Sequence, residues 1–156
     1  MSKNKLGTCD GKQDVVLCEG AFYASAVLSA KSGRFVIYDT TSGYWKVAPD
    51  NADKITGYVE EHLTCSATSG GTVLSIISVR DRVFELPYAA SGVVATLTDA
   101  VGKTLIGKLI DVYVASDIQY ADNATSQAIL RVEGYDVAEN TLKVSVIDSA
   151  IAQDTL

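Results

Sequence analysis

Apolar and polar residues alternate most clearly in the last third of the chain. There Ile129, Arg131 and Glu133 are followed by Leu142, Lys143, Val144, Ser145 and Val146. A period of two belongs to a strand with one face on a core and the other in water. The pattern predicts a closing hairpin, from about Ala128 to Tyr135 and from Thr141 to Ile147, turning through residues 136–140.

The same plan runs upstream. Val15 to Leu17 opens the folded part, and Arg34 to Tyr38 and Tyr44 to Val47 are β-rich runs joined by a loop, residues 39–43, that ends in Gly. Residues 48–53 form a polar turn cluster around Pro49, after which Ile55 to Glu60, Thr72 to Val79 and Val93 to Leu97 read as further strands. Arg82 to Leu86 stops at Pro87, which has no N–H to give a ladder and is expected at an edge or a strand end. Residues 98–102 predict a single helical turn, with Thr98 or Asp99 as cap and Gly102 as stop, before a strand region from Leu105 to Val114.

These elements predict an all-β fold: a compact antiparallel β-barrel or sandwich with at most one short helical turn. Residues 1–14 are polar and read as a flexible N-terminal arm, residues 15–148 as one β-rich domain, and residues 149–156 as a loose C-terminal tail. At 156 residues the chain fits one domain. A domain of this size buries roughly 68–70% of its unfolded surface and needs no disulfide or metal to hold it.

Charge narrows the partners. Thirteen basic against nineteen acidic residues give a net charge of −6, and the basic residues are scattered, densest at Lys3, Lys5 and Lys12. Phosphate neutralisation needs clustered cations, so nucleic acid is not an expected partner. No apolar run reaches the roughly 18–20 residues of a membrane span, so no membrane partner is expected either. Cys9, Cys18 and Cys65 are odd in number, form no CxxC pair and follow no apolar leader. The expectation is a cytosolic product with reduced thiols that pack as small hydrophobes.

Reactive chemistry is hard to assemble from this inventory. His62 is the single histidine, beside Glu60 and Glu61, and no GxSxG elbow supplies a serine for it to activate. Gly102-Lys103-Thr104 ends like a phosphate loop, but Leu97 stands where the first glycine is required. Asp50 with Asp53 and Glu60 with Glu61 lie in polar, turn-like contexts that do not point to an acid–base pair, and Asp50 to Asp53 offers too few oxygens for calcium. No catalytic residue, no metal and no cofactor is expected, and the chain reads as a binder and not an enzyme.

The aromatic residues say more. Eight Tyr and one Trp stand against three Phe, and Tyr and Trp combine apolar area with a polar tip that suits interfaces. Tyr44, Trp45 and Tyr58 fall around the first hairpin, Pro87 and Tyr88 at the proline stop, and Tyr120 near the last strands. With Lys3, Lys5 and Lys12 of the arm they are the candidate interface residues. Packing inside a β core accounts for each aromatic, taken singly, equally well.

Five segments are similar to the head decoration, or capsid cement, proteins of tailed bacteriophages. They are Gly43 to Val59, Val83 to Pro87, Val101 to Lys103, Asp111 to Asp122, and the hairpin Ile129 to Ile147. In that family a strand ending in Pro precedes a short VGK segment, and a terminal hairpin ends in alternating valines. The resemblance spans most of residues 30–148. It implies a structural virion protein made in the host cytoplasm and placed on the exterior of the capsid. There it would clamp neighbouring subunits of the major capsid protein. It also implies self-association, a homotrimer before a homodimer, and carries over no catalytic residue. A host-surface glycan is a further partner to test. The alternatives are another phage structural subunit, tail tube or head–tail connector, or a carbohydrate-binding β module stacking sugars on Tyr44, Trp45 and Tyr58.

Overall fold

A computed structural model of the chain describes residues 8–152. In chain order they form β1 (Val16–Ala21), β2 (Val27–Leu28), β3 (Phe35–Asp39), β4 (Tyr44–Val47), β5 (Gly57–Tyr58), β6 (Leu63–Thr64) and β7 (Val73–Ile77). The second half holds β8 (Phe84–Ala90), β9 (Val93–Val94), α1 (Asp99–Leu105), β10 (Leu109–Ala115), β11 (Ile118–Asp122), β12 (Leu130–Asp136) and β13 (Thr141–Val146). A 3-10 turn at Asp148–Ala150 follows.

The first sheet has the order β1-β7-β5-β3-β4 and is antiparallel throughout. The second runs β11-β10-β12-β13-β8-β9, and a parallel pairing of β11 with β8 closes five of its strands into a ring. Ring closure removes the free edges that an open sheet would expose. β2 and β6 form a separate two-stranded ribbon.

Alternation explains how the layers stack. On β3, Phe35 and Ile37 face the large core while Val36 and Tyr38 face a smaller one, so both faces of the first sheet are covered. The large core joins that sheet to the ring: the Phe84 ring lies 5.0 Å from Phe35 and 4.8 Å from Tyr58, beside Leu130, Val132, Leu142 and Val144. Arg131, Glu133, Lys143 and Ser145 occupy the intervening positions and are not buried. The smaller core gathers Phe22, Leu28, Val36, Trp45, Cys65 and Ile76. The expected β-barrel or sandwich is therefore present, and the closing hairpin falls within two residues of its expected ends.

Four expectations need adjustment. β8 runs on through Pro87. Tyr88 donates its N–H toward β13, to Asn140 O, so alternation turns the Pro87 nitrogen to the other flank. That flank lies open between the pairing of Thr8 with Phe84 and the pairing of β11 with Tyr88, so no ladder bond is lost. Gly102 does not stop the helix, which Thr98 caps and which continues to Leu105. It lies under the Tyr135 ring, where a Cβ would come within 2.5 Å of Cδ2. The near end of the tail is held, because Ile151 bridges Ile55 and Ala152 donates to Ile55 O. The arm from Thr8 to Asp14 is held as well, through Arg82.

β1 is an edge strand, and its pairing with β7 slips by one residue between Val16 and Cys18, which makes Leu17 a bulge.

Candidate interaction surface

The expected interface residues separate into three groups. Lys3 and Lys5 lie outside the described residues. Trp45, Tyr58, Tyr88 and Tyr120 are buried within the chain, so core packing accounts for them and they present no anchor to a partner. Lys12, Tyr44 and Pro87 retain exposed surface. They do not converge: Lys12 donates to Asp81 O, Tyr44 packs edge-on against Tyr23, and Pro87 sits mid-strand in β8.

Burial of the aromatics follows from the two covered faces. Trp45 pairs with Tyr38 across the β3–β4 hairpin, their rings 5.5 Å apart, on the side closed by Phe22 and Leu28. Tyr58 faces the other way, and its hydroxyl accepts from Nη2 of Arg34 at 2.8 Å. Arg34 is itself buried and donates from Nε to Val59 O, leaving Nη1 without a partner among the described residues. Burial pushes the Tyr58 phenol far above its usual range, and the nearby guanidinium only partly offsets this. A sugar-stacking platform on Trp45 and Tyr58 is thus closed off.

Apolar side chains left in solvent mark a different surface. Val15 and Val16 are 61% and 55% exposed on the edge of the first sheet, and Val93 and Val94 are 64% and 56% exposed on β9, at the end of the second. Leu17, 40% exposed, follows the first pair, whereas Val73 lies at the far end of β1, opposite Ala21. Isolated surface valines are ordinary, but here two adjacent pairs stand on edge strands of two different sheets, each pair turning one side chain to either face of its strand. Alternation could not reveal them, because a Val-Val pair reads the same in a core strand as on an edge.

Two concavities lie away from these valines. One, of about 300 Å³, is walled by Tyr23, Val27, Val47, Pro49 and Val114, with Lys46 and Asp117 as its charged members. Lys46 stacks over the Tyr23 ring at 4.6 Å and pairs with Asp39 at 2.6 Å. That pairing, with the Ser42 hydroxyl bond, holds the Asp39 carboxyl down at about 2. The larger, of about 740 Å³, is polar: Lys12, Arg82 and Arg131 line it together with Asp81, Glu133 and Asp148. Its charges balance and select no ion. Among the described residues no cluster of His, Cys, Asp or Glu is placed to hold a metal, and no helix is long and apolar enough to cross a membrane.

The most densely bonded polar group is Arg82. Its guanidinium, 5% exposed, pairs with Asp10 and with Asp14, at 3.2 and 2.8 Å. It also donates to the carbonyls of Lys12 and Gln13. Burial alone would raise the Asp10 carboxyl, but the bonds from Arg82 and from the Lys12 and Val83 N–H groups outweigh it and hold the carboxyl below its usual range.

Comparison with protein-family models, with curated proteins and with solved structures finds no match to this chain.

Proposed function

We propose that the protein is a structural docking protein, and in finer terms a decoration protein of a tailed-bacteriophage head. On this reading it binds the exterior of the assembled capsid and clamps neighbouring copies of the major capsid protein. The observation that carries the reading is the pair of exposed valine edges, Val15–Val16 and Val93–Val94, on separate sheets. Each valine, now more than half exposed, leaves on the order of 1 kcal/mol of burial unrealised. Such contacts are weak singly. Two on one rigid body, multiplied in a symmetric homo-oligomer, make every contact after the first effectively intramolecular. The resemblance of Gly43 to Val59, Val83 to Pro87 and Ile129 to Ile147 to the cement family supplies the identity of the partner.

The test mixes the purified protein with undecorated phage shells. Co-sedimentation at a fixed copy number, with a rise in the temperature at which shells open, supports the proposal. Failure to sediment with any shell, together with unchanged heat resistance, overturns it. Size-exclusion chromatography separates the tail-tube alternative, which calls for rings or polymerising tubes in place of a small closed oligomer.

A further inference from the structure

We propose that residues 8–14 are a releasable strap, seated on Arg82 and on the flank of β8 while Asp10 and Asp14 are ionised, and freed when acid discharges them. Among the described residues, every hydrogen bond of the Arg82 guanidinium ends within residues 10–14. Nε reaches both Asp10 oxygens at 3.3 and 3.2 Å, Nη2 reaches Asp10 Oδ1 and Lys12 O, and Nη1 reaches Asp14 Oδ1 and Gln13 O. Gly11, at φ +69°, supplies the left-handed turn that bends the segment around the guanidinium.

The strap extends the sheet as well. Thr8 bridges Phe84, Cys9 donates to Val83 O at 2.9 Å, and the Val83 N–H donates to Asp10 Oδ2 at 2.7 Å. Lys12 Nζ closes the last contact on Asp81 O at 2.8 Å. Thr8-Cys9-Asp10-Gly11-Lys12-Gln13-Asp14 contains no large aliphatic or aromatic side chain. The seat therefore holds the segment by charge and hydrogen bonds, whereas the body is held by its two apolar cores. Losing the carboxylate charge costs the strap its main contact and costs those cores nothing directly.

The surrounding charges support that sequence of events. Arg34 and Glu60 approach from the first sheet and the chain after β5, with Glu61 beside them, and Asp81 from the loop before β8. Lys143 and Glu85 face Cys9. Burial, with Asp14 adding to it, raises the Glu60 carboxyl, so on acidification Glu60 is neutralised before Asp10, which its seat holds low. A carboxyl lowered in the closed state stabilises closure above its free-state value, and that stabilisation fades as pH falls through the lowered value. An uncharged strap would leave Arg82 a buried cation facing only neutral acceptors.

The test uses the full chain with Asp10→Asn and Asp14→Asn together, digested with trypsin at neutral pH. Cleavage after Lys12 is expected to accelerate at least tenfold over the parent, and equal rates overturn the proposal. A second measurement follows backbone amide signals of the unaltered chain by NMR as pH falls from 7 until the signals of Leu130 to Val146 themselves move to unfolded positions. Signals of residues 8–14 should move to unfolded positions at a higher pH than those of Leu130 to Val146. Strap signals that leave together with the β12–β13 signals, or after them, overturn it even if the double variant fails to fold.

Discussion

The side-chain amide of Gln119 serves Phe35 as a missing peptide unit. Its Oε1 accepts the Phe35 N–H at 2.9 Å and its Nε2 donates to Phe35 O at 3.0 Å. The same Nε2 reaches Ala48 O at 3.0 Å. One fully buried side chain from β11 thus joins the ring to the first sheet at the start of β3, where Phe35 O also accepts the Ala48 N–H at 2.8 Å.

Gln119→Leu keeps the volume and removes all three bonds. Phe35 O keeps the Ala48 N–H, so two buried backbone groups, Phe35 N–H and Ala48 O, lose the amide; at about 1–3 kcal/mol each, a loss on the order of 3 kcal/mol is expected. Urea denaturation should show a lower midpoint with an unchanged slope. A loss below about 0.5 kcal/mol would mean that water replaces the amide.

Asp111 plays a comparable part in the turn before β12. Its buried carboxylate accepts the N–H groups of Ser126, Gln127 and Ala128 at 2.7–2.8 Å, and Ala128 is held at φ +54°. Asp111→Asn removes the charge and one acceptor oxygen. The expected destabilisation is roughly 2–3 kcal/mol, with amide exchange of residues 126–128 quickened ahead of the rest of the chain.

Tyr58 sets an alkaline limit. Its folded pKa lies above the unfolded value, so as pH climbs past the ordinary phenol range the unfolded chain loses its proton first, and stability falls. Tyrosinate absorbance should show Tyr58 ionising only with unfolding, whereas Tyr58→Phe removes that step. The same variant should cost about 1–3 kcal/mol near neutrality, because Arg34 loses a hydrogen bond inside the core. Ionisation of Tyr58 in the folded protein together with exposed tyrosines would count against this account.

Val16→Asp and Val93→Asp separate binding from folding. Both side chains are already mostly in solvent, so each change should alter stability by no more than about 0.5 kcal/mol. Shell binding, measured by co-sedimentation, should fall at least tenfold for each and further for the pair. Unchanged binding in the double variant would remove the valine edges from the docking reading.

Much of the strand framework was legible because period-two alternation needs only local residues. The β3–β4 and β12–β13 hairpins follow it closely. β2 and β6, two residues each, are too short to carry a period. Helix α1 outran its expected stop because Tyr135, from β12, takes the space above Gly102, a contact no local signal announces. The aromatics misled for a related reason: Phe35, Val36, Ile37 and Tyr38 are apolar on both faces, and only the second core beneath the sheet decides that Trp45 goes inside. The polar character of the strap was readable, but its seat was not, since Arg82 lies some seventy positions away.

The extra residue at Leu17 limits what the rim of the first sheet can recruit. An even row of backbone donors and acceptors along β1 would invite another chain to zip on, and then another, without end. The slip between Val16 and Cys18 breaks that row while leaving the aliphatic side chains outward. The rim of the sheet is sticky yet unzippable, and under the docking proposal that combination suits side-chain contact with a partner over strand addition.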